Sequence, residues 1–174
     1  MPHKIKLLAL ASLLLGVAFT SANAAEREQV RIVVNLIAAT KMPFPENLAR
    51  NRAKTQRVWL ELNGASVACL RNEDRRWCYE HIPPVGARAE MLRIRNEPAA
   101  GVAVGQLYHY IVDYDLDGMI DVGSTTRIEG PPREPIAAVI QFFQRSTGRG
   151  DKYRSDYQKM YDEGIQIALK YLGE

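Results

Sequence analysis

Two cysteines stand nine positions apart, Cys69 and Cys78, with the polar run Arg71-Asn-Glu-Asp-Arg75 between them. On a single helix that separation rises about 13 Å, farther than a disulfide reaches. If the chain turns back at Glu73-Asp74, position 69 falls opposite 78, 70 opposite 77 and 71 opposite 76. One register therefore brings the sulfurs together and leaves the charged residues in the turn. That is a β-hairpin. A bridge across it closes a loop of about ten residues, worth roughly 2.5–3 kcal/mol on the chain-entropy account. The alternatives are a metal pair or a redox couple. A redox couple normally shows CxxC spacing, and zinc needs more ligands than the nearby His81 supplies.

A disulfide requires an oxidising compartment, and the first residues point to one. Lys4 and Lys6 precede the mostly apolar stretch Leu7 to Thr20, and Ser21-Ala-Asn-Ala24 follows with small residues in alternation. This is the order of parts in a cleaved export signal. The apolar stretch is shorter than the about 20 residues a membrane span needs, and no cysteine near the cleavage site offers a lipid anchor. Residues 1–24 are read as a signal peptide and the mature chain as starting at Ala25. The location is then periplasmic or secreted, with no membrane anchor left after cleavage. Residues 25–174 suit one ordinary domain. Removing Lys4 and Lys6 lowers the formal charge from +3 to +1, which argues against nucleic acid as a partner. Arg71, Arg75, Arg76, Arg88, Arg93 and Arg95 are interspersed with Glu73, Asp74, Glu90 and Glu97, and read as mixed solvated faces.

The mature chain opens at Glu26 to Thr40 with Val30, Val33, Val34, Ile37 and Ala38 at helical spacing, although the β-branched density also allows a strand. Met42-Pro-Phe-Pro45 marks a loop, and the arginine-rich 47–56 stretch an exposed helix or loop. From Arg57 the texture becomes strand-like. Val58 to Leu62 leads through Asn63-Gly64, a strong hairpin signal, into Val67 to Leu70. Trp77 to Tyr79, Met91 to Ile94, Gln106 to Val112 and Asp121 to Ile128 follow, separated by Pro83-Pro84 and a small-residue stretch from Pro98 to Gly105. Glu134 as a cap and Pro135 at a first turn predict a helix carrying Ile136, Val139, Ile140 and Phe143 on one face, ended by Gly148. A last helix from Asp151 to Leu172 carries Tyr153, Tyr157, Met160, Tyr161, Gly164, Ile165, Ala168, Tyr171 and Leu172 as a core stripe. The fold expected is α+β: an N-terminal helix, an antiparallel meander from about 57 to 128, and two C-terminal helices packed on one sheet face.

The chemistry concentrates in Asp113-Tyr-Asp115-Leu-Asp117-Gly118-Met119-Ile-Asp121. Carboxylates at alternate positions around a glycine-permitted turn converge on one hard cation. Over these nine residues the spacing resembles the loops of EF-hand and dockerin modules. The resemblance implies Ca²⁺ ligands at Asp113, Asp115 and Asp117, the Met119 carbonyl and Asp121. Position 12, where such a loop has a bidentate glutamate, holds Ser124, and the preceding segment reads as a strand. Glu129 completes the shell if the following turn folds back. A weak structural ion follows, rather than a sensor. The bland alternative is a solvated acidic turn. A catalytic alternative adds His109, on the same strand face as Asp113, to make a small metal-dependent hydrolase. A phosphatase-type Asp-x-Asp-Gly motif is disfavoured, because Met119 stands where a threonine belongs. No GxSxG or HExxH is present. The leading reading is an exported, non-enzymatic binding or accessory domain held by Ca²⁺ and one disulfide. Its partner, a protein or a small ligand, has no signature in the sequence.

Overall fold

In the computed structural model the described residues are 26–39, 65–100, 103–131 and 135–173. The export signal, the 42–45 loop, the 47–56 stretch and the Asn63-Gly64 hairpin signal lie outside them. Residues 26–39 form helix α1. Six strands follow: β1 Ser66–Asn72, β2 Arg75–Ile82, β3 Met91–Pro98, β4 Leu107–Tyr114, β5 Val122–Glu129 and β6 Ile136–Gln144. Two single 3-10 turns, Arg145–Thr147 and Asp151–Tyr153, lead into helix α2, Arg154–Leu172. The strands pair in chain order, every neighbour antiparallel. Each connection is therefore local, as short turns between consecutive strands favour.

Both helices share one core with one face of this sheet. Val30, Val33, Val34 and Ile37 of α1 join Tyr157, Tyr161, Ile165 and Ala168 of α2 over Ala68, Trp77, Tyr79, Leu92, Ile94, Ile111 and Phe143. Alternation along each strand sends the intervening residues to the other face. That face carries the Cys69–Cys78 disulfide, in the 69↔78, 70↔77, 71↔76 register that the spacing predicts. Glu73, at the turn, takes φ 56. The same face has a small cluster of Ile82, Met91 and Val112.

Two expectations are corrected. Residues 136–144 are a strand, not the first of two C-terminal helices. The meander thus runs on to Gln144, and a single helix closes the described chain. The Ile, Val and Phe content of this segment favours a strand, and Pro135 precedes a strand start as readily as a helix start. The helical stripe also lacks a core to face, since Ile136 and Val139 are 64% and 62% exposed. Arg71 and Arg88 are exposed as expected, but Arg75, Arg76, Arg93 and Arg95 are less solvated than a solvated face implies. Arg76 binds Glu97 with Nε 2.7 Å from Oε1. Arg93 and Arg95 each stand 3.5 Å from the buried carboxylate of Glu80.

Candidate metal-binding loop

The β4–β5 connection begins where β4 ends. His109, Ile111 and Asp113 point to the helical face, by alternation and by pairing with Asn96, Ile94 and Leu92. Asp113 is thereby fully buried. The chain then bends sharply, with Asp115, Leu116 and Gly118 all at positive φ (73, 56 and 86). Leu116 and Ile120 turn inward and are buried, so two apolar anchors hold an otherwise acidic loop against the core.

Asp113 organises the turn. Its Oδ1 accepts the Asp117 amide (3.2 Å), and its Oδ2 accepts the Gly118 amide (3.1 Å) and the Tyr161 hydroxyl (2.6 Å). Burial nevertheless raises its pKa to about 7, against the opposing pull of those donors. Tyr161 is itself pushed well above the usual phenol range, by burial first and then by Asp113. From α2, Gln158 accepts the Ile120 amide at 3.0 Å and donates to the Gly118 carbonyl at 2.9 Å. Helix and loop are thus joined through both ends of one amide side chain.

The carboxylates of Asp113, Asp115 and Asp117 converge, with one oxygen from each within 4.8 Å of the others. Three oxygens at that spacing are the beginning of a hard-cation shell. The other expected ligands have the following contacts. Asp121 is held beside the group by other partners: its Oδ2 accepts the Tyr114 amide at 2.7 Å and its Oδ1 lies 3.5 Å from Arg145 Nη1. The Met119 amide donates to Asp117 Oδ1 at 2.8 Å. Ser124 pairs with Tyr110 and so points to the other sheet face. Glu129 ends β5, seven residues and roughly 23 Å along the strand from Val122, so it does not fold back.

Arg145 is the residue that the sequence pattern misses. Its Nη1 lies 3.0 Å from Asp117 Oδ2, and that hydrogen bond, ahead of the surrounding acidic charge, raises its own pKa. One guanidinium thus faces the carboxylates of Asp117, Asp121 and Asp115 and leaves the loop net negative. The Arg145 amide also donates to the Asp121 carbonyl at 2.8 Å, which fixes the arginine beside the loop. Nothing local announces a partner 28 positions away from Asp117.

His109 is not brought to the acids. It stands four positions before Asp113, about 13 Å along a strand, with buried Ile111 between them. Its Nδ1 lies 3.0 Å from Thr125 Oγ1, which in turn lies 2.9 Å from the Tyr157 hydroxyl. Burial, helped by Arg75, lowers its pKa to about 4. It is a half-buried hydrogen-bonding group whose surroundings favour the neutral ring.

Beside the loop, α1 and α2 enclose a cleft of about 300 Å³ lined by Glu26, Gln29, Gly118, Tyr161 and Asp162 among others. Gln166 donates to Gln29 across it at 3.0 Å. Among the described residues no helix is long and apolar enough to cross a membrane. Comparison with protein-family models, with curated proteins and with solved structures finds no match, so the chemistry of this chain rests on its own residues.

Proposed function

We propose that this chain is an exported, non-enzymatic accessory domain whose β4–β5 loop takes up Ca²⁺ as a structural ion through Asp113, Asp115 and Asp117. The observation that carries it is the convergence of those three carboxylates within 4.8 Å of one another. An irregular, oxygen-only loop suits the larger and more adaptable shell of Ca²⁺ over Mg²⁺. The EF-hand and dockerin likeness supports the reading through spacing alone, since strands flank this loop. The disulfide suits an oxidising compartment. The distance of His109 from the acids argues against a hydrolase.

Without a bidentate glutamate the affinity is expected to be weak, on the order of 10⁻⁴–10⁻³ M. At ~100-fold excess over that constant, mass action adds roughly 2.7 kcal/mol to stability. Thermal melts of the mature protein in Ca²⁺ and in chelator should therefore differ by several degrees, and Asp115→Asn should shrink the difference. An unchanged wild-type melt, with no calorimetric binding up to tens of millimolar, would overturn the reading.

The contacts of Arg145 favour a second reading, in which the guanidinium is the loop's working counter-charge and no ion is taken up. Arg145→Gln separates the two. If Ca²⁺ is the intended cation, losing a competing charge leaves binding intact or tighter. If Arg145 is, the variant melts lower and Ca²⁺ does nothing.

A further inference from the structure

Among the described residues the sheet ends at β6, and its outer edge is open over a defined run. Beyond Gln141 the edge is closed, by Gly150 packed on the Phe142 carbonyl and by the Gln144–Arg149 bridge. From Ile136 to Gln141 the backbone has β5 on one side and no strand on the other among the described residues. Ile136, Val139 and Ile140 are 64%, 62% and 38% exposed. Edge strands of soluble proteins are usually guarded by charge, especially lysine, or by an inward-pointing ionic group. The run Ile136-Ala-Ala-Val-Ile-Gln141 has no charge at all. One guard is present, a bulge that leaves Ile140 without a partner between Thr125 and Thr126.

We propose that this edge pairs with β6 of a second copy of the chain, antiparallel about a two-fold axis through Ala138. An unpaired ladder of N–H and C=O groups is answered by another strand. A two-fold axis normal to a sheet pairs residues whose numbers sum to an even constant, because partners share a face. With Ala138 on the axis, Ile136 meets Ile140 of the other copy, and Ala137 meets Val139. The run is close to a palindrome about that residue, so every pair is apolar and no like charges meet. Ala138 and Ile136 fall on the helical face, opposite Arg127 and Glu129 of β5, while Ala137 and Val139 fall on the other. The two sheets would join into one of twelve strands.

A five-residue strand pair buries well under the ~1,200 Å² total of stable interfaces, and the bulge limits its straight length. A dissociation constant on the order of 10–100 µM is expected. Sedimentation equilibrium of the mature protein from 5 µM to 1 mM should show monomer passing to dimer. Val139→Lys and Ile136→Lys, both at highly exposed positions, should each weaken association at least tenfold with melting temperature unchanged. Ala138→Cys, oxidised at high concentration, should give a disulfide-linked dimer. Peptide mass spectrometry should place the link between position 138 of one copy and position 138 of the other. A protein monomeric to 1 mM overturns the proposal and leaves the edge to a strand from another protein. So does a dimer indifferent to both lysine variants, or a linkage absent at position 138.

Discussion

Gly123 has no side chain because the ring of Tyr157 lies where one would be. A Cβ built there would stand 2.5 Å from the ring, so the aromatic covers bare backbone in β5. Gly123→Ala should destabilise the fold by roughly 1–3 kcal/mol through overpacking, readable as a shift in the urea midpoint at unchanged slope. His109, half-buried and linked to Tyr157 through Thr125, makes stability depend on pH. Its pKa falls from 6.5 to about 4 on folding. Between those values the unfolded chain holds a proton that the folded chain does not, so stability rises with pH through the window and is lost as pH falls. Asp113 runs the other way: its pKa rises from 3.8 to about 7, which favours the folded state at the acid end. The comparison that isolates the histidine is wild type against His109→Gln. After allowance for partial solvent contact, wild type should lose about 1–2 kcal/mol more between pH 7 and 4.5. Parallel profiles in urea titrations would contradict it.

At the scale of elements, the disulfide hairpin is legible because its constraint is local. Nine residues, a polar turn and two thiols leave one register, and β1 and β2 adopt it. The β6 segment reads as a helix because spacing of three and four also fits a strand once a bulge is allowed. Its β-branched and aromatic content leans toward a strand, but its spacing alone does not tell a helix that needs a core from a strand that needs only β5. The acidic loop divides in the same way. Its three converging aspartates are visible as spacing, whereas Arg145, Gln158 and Tyr161 reach it only through the fold. Reducing the Cys69–Cys78 bond, or replacing both residues with serine, should cost about 2.5–3 kcal/mol. Equilibrium unfolding with and without reductant measures it, and the double serine variant should be blind to the reductant.

Across the whole molecule, stability is shared between two sheet faces of different character. One is apolar and roofed by two helices. The other is knitted by cross-strand ion pairs around Glu80 and Glu97 and by the disulfide. The roof is made from the two ends of the described chain, since Gln29 and Gln166, hydrogen-bonded across it, are 137 residues apart. Synthesis at 5–20 residues per second delivers the second of these roughly 7–27 s after the first. Throughout that interval the valine and isoleucine stripe of α1 has no finished surface to rest on. The helix that is made first thus completes its packing only when the last one arrives, and until then part of its apolar stripe stays open to other chains.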